Sequence, residues 1–442
     1  MNRPTQTARS VRATVLQTPT PDDLQVLEDQ LIVLDENGVI TSVGPASDDT
    51  EADVVLPSTQ VLLPGLIDTH IHAPQWPQLG TGLDLPLDRW LFERTFPTEA
   101  RFSDESFART VWSQMVPTLL AYGTTTAVYY SSNDEAATTA LAEACLQHGQ
   151  RAFVGRVAMD HPEGTPEWYR DAGAVESVEA SARSIEDIVA LDRDGLLVQP
   201  IITPRFIPAC SDSALEGFGE LAASTGVRVQ THCSEGDWEH SYVLDRHGMT
   251  DTESLSSFGL LGDHTVLAHA THLTDSDRRL IAESGAGVAH CPISNSYFAN
   301  AVFPLRRNLD AGVRVGLGTD IAGGSKASLF TQCEHAVTVS RMLEDGVDVE
   351  TESGRGVPDS RVDAITAFWC ATGGGADLLG IDAGLLAPTK TFDAVAIDLE
   401  MLPSFHSDWD HGDWHRVFEK IVRGVVDRTG IDAVWVGGRR VV

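Results

Sequence analysis

Lysine is almost missing from this chain. Among 442 residues only Lys326, Lys390 and Lys420 are lysines, so the remaining 28 of 31 basic residues are arginine. Asp and Glu number 64, and the formal net charge is −33. A nucleic-acid partner is excluded, because phosphate binding needs a basic face. The six cysteines are scattered, and none forms a CxxC pair. That excludes a zinc ribbon or a disulfide framework and fits a reduced, cytoplasmic setting. No apolar run approaches the roughly 18 residues of a membrane span. The first residues, "MNRPTQTARSVRATVL", hold no apolar core of a secretory leader. P-loop and GxSxG signatures are missing as well. "HPE" at 161–163 is not followed by a PCxxC, so the cysteine-ligated nucleobase deaminase pattern is incomplete.

An acidic surface repels itself at low ionic strength. Molar salt shortens the screening length to roughly 3 Å and removes most of that cost. The composition therefore predicts a halophilic protein adapted to a high-salt interior.

What is present is alternation. Apolar, β-branched runs recur at 61–72, 123–132, 151–160, 196–206, 227–235, 264–273, 285–295 and 313–320, with helical patterns such as "DESFARTVWSQMVPTLLAYG" between them. Eight strands that read as buried on both faces, separated by helices, predict an α/β TIM-type (β/α)8 barrel. Both ends of the chain read as short strands. Turns are expected at Glu36-Asn37-Gly38 and Gly44-Pro45, and "FDAVAIDLE" and "DAVWVGGRRVV" continue the pattern at the C-terminus. The expected organisation is a β-sandwich domain built from residues 1–62 and 382–442, around a barrel at 63–381.

Polar residues fall where the apolar runs end. "PGLIDTHIHAPQW" (64–76) carries His70 and His72, alternate residues of one strand that point the same way. His232 ends the fifth run, His269 the sixth and Asp320 the eighth. Active sites of parallel barrels lie at these strand ends. His70, His72, His232 and Asp320 therefore make a candidate site for one Zn2+ ion, or Fe2+, with an open position for water. No lysine precedes Lys326, so a carbamylated lysine bridging two metals cannot come from the first seven strands. His290 reads as a core or rim residue. His272 competes with His269, which directly ends the run "TVLAH".

"PGLIDTHIH", "THCSE", "VLAHATHL", "AHCPISN" and "GLGTDIAGG" resemble the amidohydrolase superfamily in its mononuclear deaminase branch. "GTGLDLPLDRWLFERTFPTEARF", "TPRF" (203–206) and "GTDIAGG" (318–324) are similar to the guanine deaminases within it. The resemblance implies zinc on the four residues above. It also implies purine contacts from Gln75, Arg205, Phe206 and Glu235, with His232 and Asp320 facing the substrate as well. Arginine donates to a carbonyl oxygen, a glutamine amide both donates and accepts, and Phe206 or Trp76 packs on a ring face. The chemistry implied is hydrolytic deamination of guanine in purine catabolism. Asp320 and His269 would handle the water proton, and Glu235 would protonate the ring and the leaving amine. Another deaminase or dechlorinase of purines, pyrimidines or triazines is the nearer alternative, and a non-catalytic barrel scaffold the remote one. A homodimer is the family expectation. Three stretches depart from the pattern: Trp76 with the following "QLG", which would alter the pocket rim, "SKASLF" (325–330) and "APTKTFDAV" (387–395).

Overall fold

The computed structural model describes residues 7–47, 49–410 and 412–442. The chain opens with β1 (Ser10–Thr20), β2 (Asp23–Leu34), β3 (Ile40–Pro45), β4 (Val54–Val55) and β5 (Gln60–Pro64). Ten segments follow: β6 (Leu66–His72), β7 (Thr124–Tyr130), β8 (Arg151–Gly155), β9 (Val157–Ala158), β10 (Val198–Pro200), β11 (Thr203–Pro204), β12 (Val229–Cys233), β13 (Thr265–His269), β14 (Gly287–His290) and β15 (Arg314–Leu317). The chain closes with β16 (Ala394–Asp398), β17 (Ile431–Val436) and β18 (Arg439–Arg440).

Both termini enter one sheet, in the order β18-β17-β16-β5-β1-β2-β3, with β4 on β1. The turn expected at Glu36–Gly38 joins β2 to β3. Gly44 and Pro45 do not turn: they pair with Leu31 and Gln30 inside β3. β3 is an edge strand, and an edge tolerates a proline that cannot donate to a neighbour.

The middle of the chain is α/β with parallel sheets. β10-β8-β7-β6 form one four-stranded sheet, β12-β13-β14-β15 another, and β11 pairs with β9. Every residue of β6, β7, β12, β13 and β14 is buried. Such burial along whole strands reflects cover on both faces, with buried polar residues such as Asp68, Thr126 and Gln230 among the apolar ones. All eight predicted runs contain strands, with two differences. The first run divides at Gly65 between the terminal sheet (β5) and the parallel sheet (β6). A Cβ at Gly65 would lie 2.2 Å from Thr125 Oγ1, so only glycine permits that approach. The third and fourth runs are each broken in two, as β8/β9 and β10/β11.

Helices between the strands are set by local chemistry. Asp104 caps Glu105–Ala121 by accepting from the N–H groups of Ser106 and Phe107. Thr250 with Glu253, and Thr274 with Asp277, form reciprocal capping boxes.

Candidate active site

β6 delivers His70 and His72 together. The His70 Nε2 atom lies 3.1 Å from Asp320 Oδ1, and His72 Nε2 lies 3.6 Å from the same oxygen. His72 Nε2 and His232 Nε2 face each other at 2.9 Å. The His232 Nδ1–H donates to the carbonyl of Arg205 at 2.6 Å, which leaves a lone pair on Nε2. Burial, then the charges of neighbouring histidines and Arg205, hold His70, His72 and His232 far below the ordinary histidine pKa. They are neutral ligand-type imidazoles.

The donor set can be tested against a cation. His70 Nε2 and His269 Nε2 are buried and without a hydrogen-bond partner. Buried polar atoms are rarely left that way, and the Nε2 atoms of His72 and His232, facing each other at 2.9 Å, can hold a cation between them. Nitrogen donors of His70, His72 and His232 lie within 4.8 Å of one another. With Asp320 they offer three imidazoles and one carboxylate, which fits a single Zn2+ or Fe2+.

Strained backbone marks the same place. Ser234, His269, Ala270 and Asp320 all have positive φ, at 49°, 69°, 49° and 47°. Non-glycine residues hold such conformations only where surroundings compensate, and such residues cluster at active sites. At Ser234 the compensation is visible. The N–H of Ser234 donates to Asp251 Oδ1 at 3.0 Å, and the N–H of Glu235 donates to Glu239 Oε2 at 2.7 Å. This turn sends Glu235 into the pocket, with Oε1 3.7 Å from His269 Nε2. Burial, then the charge of Asp320, raises the Glu235 carboxyl well above the usual carboxylate range. His269 donates through Nδ1–H to Asn295 Oδ1 at 2.9 Å and turns a bare Nε2 towards Asp320 Oδ2, 3.9 Å away. His269 is held below the ordinary histidine pKa by burial.

Beside these groups lies a pocket, and His72, Gln75, Arg205, Phe206, His232, Glu235 and Asp320 all line it. The structure therefore brings the predicted residues to one place, with His70 and His269 just behind the wall. His272 points elsewhere, towards Asp237 at 3.6 Å, and stacks on His240. His290 is a core residue packed on Phe303. Trp76 is half-buried and packs against the core beside the helix Glu105–Ala121 rather than lining the pocket. Residues 327–330 are buried at the start of the helix Leu329–Asp345, and Lys326 is exposed. In 387–395, Lys390 pairs with Asp382 at 3.0 Å and Phe392 enters the core of the terminal sheet.

Several residues had no assignment from sequence. Leu87, Trp90 and Leu91 line the pocket, and Glu99 binds both Arg205 and Gln75. All four belong to the run "DLPLDRWLFERTFPTEARF", whose likeness to a family was visible but whose individual roles were not. Phe298 and Gly323 also line the pocket. A Cβ at Gly323 would sit 2.6 Å from Asp320 Oδ2.

Comparison with known proteins agrees with this picture. The sequence pattern of the amidohydrolase family matches residues 61–441. A probable guanine deaminase of Schizosaccharomyces pombe is 38% identical over 389 residues, covering 86% of this chain and 71% of that protein. Guanine deaminase of Homo sapiens is 32% identical over 453 residues, covering 98% of this chain and 97% of its own. The crystal structure of guanine deaminase from C. acetobutylicum, with guanine bound in its active site, superposes with a TM-score of 0.87 at 28% identity. It covers 98% of this chain and 99% of the other.

Proposed function

The chain belongs to the amidohydrolase family, and from that membership and the pocket we infer that it is a guanine deaminase, hydrolysing guanine to xanthine and ammonia. One observation carries the reading. Glu235, a buried carboxyl raised above its ordinary pKa, lines one pocket with His72, His232, Asp320, Arg205 and Gln75, and His70 lies just behind its wall.

His70, His72, His232 and Asp320 would hold the ion. Such an ion supplies Lewis acidity and lowers the pKa of water from 15.7 to about 7. Asp320 and His269, whose facing atoms lie 3.9 Å apart, would take up and orient the water proton. Glu235 donates its proton to the ring nitrogen next to the amino-bearing carbon. Glu235 would then take the water proton held at Asp320 and His269 and pass it to the amine, which leaves as ammonia while the hydroxyl proton of the intermediate returns to Glu235. Arg205 and Gln75 orient the ring, and Phe206 covers one face. Following guanine loss by ultraviolet absorbance at high salt, with metal analysis of the same sample, tests the reading. Stable guanine together with ammonia release from another heterocycle would replace the substrate. A metal content near zero would revive the non-catalytic scaffold.

The finer architecture belongs to the same proposal. The eight strands read as one closed (β/α)8 barrel. The Ile202–Val229 bridge and the bonds from Asp320 N–H to His70 O and from His72 N–H to Ile321 O support closure. So does a cluster that draws Ile67, Val128, Phe153, Ile201, Val266 and Ala289 together. The terminal sheet reads as a sandwich folded on itself, supported by Ile32 and Ile40 sharing a core with Ala433 and Trp435. Divisions after residues 62 and 381, a homodimer and a cytoplasmic, high-salt setting complete it. Six free, buried cysteines suit a reducing compartment. Among the described residues no helix is long and apolar enough to cross a membrane.

A further inference from the structure

Glu99 is 1% exposed and stands behind the pocket wall rather than in it. Its carboxylate makes three hydrogen bonds to two wall residues. Oε1 accepts from Gln75 Nε2 at 2.9 Å and from Arg205 Nη2 at 3.0 Å. Oε2 accepts from Arg205 Nη1 at 2.6 Å. The other end of the Gln75 amide is also held, since its Oε1 accepts from the N–H of Ala322 at 2.9 Å. Phe96, on the same short helix as Glu99, lies under the guanidinium at 5.1 Å.

These contacts determine what the wall can offer. Gln75 is bound at both ends, so its amide has one orientation, with the nitrogen towards Glu99 and the oxygen towards Ala322. It keeps one N–H and one lone pair for the pocket. Arg205 has no acceptor at all; Nη1 also donates to Met159 Sδ at 3.7 Å, and the N–H groups used on neither Glu99 nor Met159 remain available. The wall is therefore rich in donors, and its complement is an acceptor on the substrate ring. Without Glu99 the guanidinium would be a buried cation lacking its partner, free to turn away, and the amide would lose the contact that fixes its nitrogen.

We propose that Glu99 is a positioning residue that holds Arg205 and Gln75 as a donor wall, and that it thereby selects aminopurines carrying an oxo group over those without one. The proposal rests on the guanine deaminase reading and adds to it a residue that does not itself touch the substrate. A site built to hydrogen-bond a substrate group rejects analogues lacking that group far more strongly than apolar packing can.

Guanine and 2-aminopurine make the test. Both carry the reacting amino group, and only guanine has the oxo oxygen. Ammonia release from each is measured for the wild-type protein, Glu99→Gln and Glu99→Asp, each loaded with metal and checked by thermal melting. The wild-type protein should prefer guanine in kcat/KM by about 10³-fold or more. Glu99→Gln should raise the KM for guanine about tenfold or more, change kcat for 2-aminopurine by less than about threefold, and lower the preference about tenfold. Glu99→Asp keeps the charge and should give an intermediate preference. A residue that only supports the fold would slow both substrates together, and an unchanged preference in Glu99→Gln overturns the proposal while leaving the guanine reading intact. If Glu99→Gln does not fold, Glu99→Asp decides: a preference reduced about threefold or more supports the proposal, and an unchanged one overturns it. A wild-type protein that leaves guanine untouched removes the functional reading and this proposal together.

Discussion

Glu235 and His290 are both buried titratable residues, yet burial asks different things of them. Glu235 faces His269 Nε2 at 3.7 Å, and its carboxyl is raised by burial and by Asp320. As the proposed proton donor it should be irreplaceable by an amide. Glu235→Gln is expected to keep its metal content and lose about 10²-fold or more in turnover. Near-normal rates of ammonia release would assign the proton transfer to another group. His290 instead serves packing, and burial pushes its pKa down to about 3. Because this folded-state value lies below the unfolded one, its contribution to stability is complete above pH 6.5 and is lost as pH falls from there towards 3. The loss is at most about 1.4 kcal/mol per pH unit. Subtracting the unfolding free energies of His290→Asn from those of the wild-type protein across this window should leave that slope. Parallel curves would mean that His290 does not carry it.

At the scale of elements, the site is made where strands stop. The left-handed residues Ser234, His269, Ala270 and Asp320 turn the chain as it leaves β12, β13 and β15, and each turn aims a functional side chain inwards. The segment after β15 has little room to vary. Gly324 N–H closes back on Asp320 O at 2.6 Å, and a Cβ at Gly323 would press on Asp320 Oδ2 at 2.6 Å and on Ser294 Oγ at 2.9 Å. Gly323→Ala should therefore displace the Asp320 carboxylate rather than unfold the protein. A misplacement near 1 Å costs about 10²-fold in rate. Reduced metal content and turnover with a nearly unchanged melting temperature is the expected result. Full metal content and rate would show that the loop absorbs the methyl group.

For the whole molecule, charge is the dominant variable. A net charge of −33, from 64 acidic against 31 basic residues, means that carboxylates outnumber their possible basic partners, although arginines pair with some, as Arg183 does with Glu135 and Glu176. Such exposed pairs add little to stability, and the summed repulsion is screened by salt. Raising potassium chloride from about 0.1 M to about 2 M should raise the unfolding temperature, because the screening length falls from about 10 Å to near 3 Å. A flat or falling midpoint would contradict a high-salt adaptation.

The α/β alternation and the strand-end histidines were legible in the sequence because both are local patterns. A strand buried on both faces is mostly apolar, and alternate residues of one strand share a direction, so "THIH" announces two side chains aimed together. The separation of His269 from His272 was also legible, from which histidine ended the apolar run. Other features depend on contacts between distant parts of the chain. Glu99 meets Arg205 across 106 positions, and nothing in either neighbourhood names the other. Gln75 reads as a free amide in sequence, whereas Glu99 and Ala322 occupy one site at each of its ends. Trp76, beside the pocket-lining Gln75, packs into the core. Sequence by itself determined where the ligand-type side chains fall, His70, His72, His232 and Asp320 at the ends of apolar runs, since residue type and periodicity are written along the chain. Tertiary structure alone decided how the pocket wall is oriented, since orientation comes from hydrogen bonds that form only when remote segments pack.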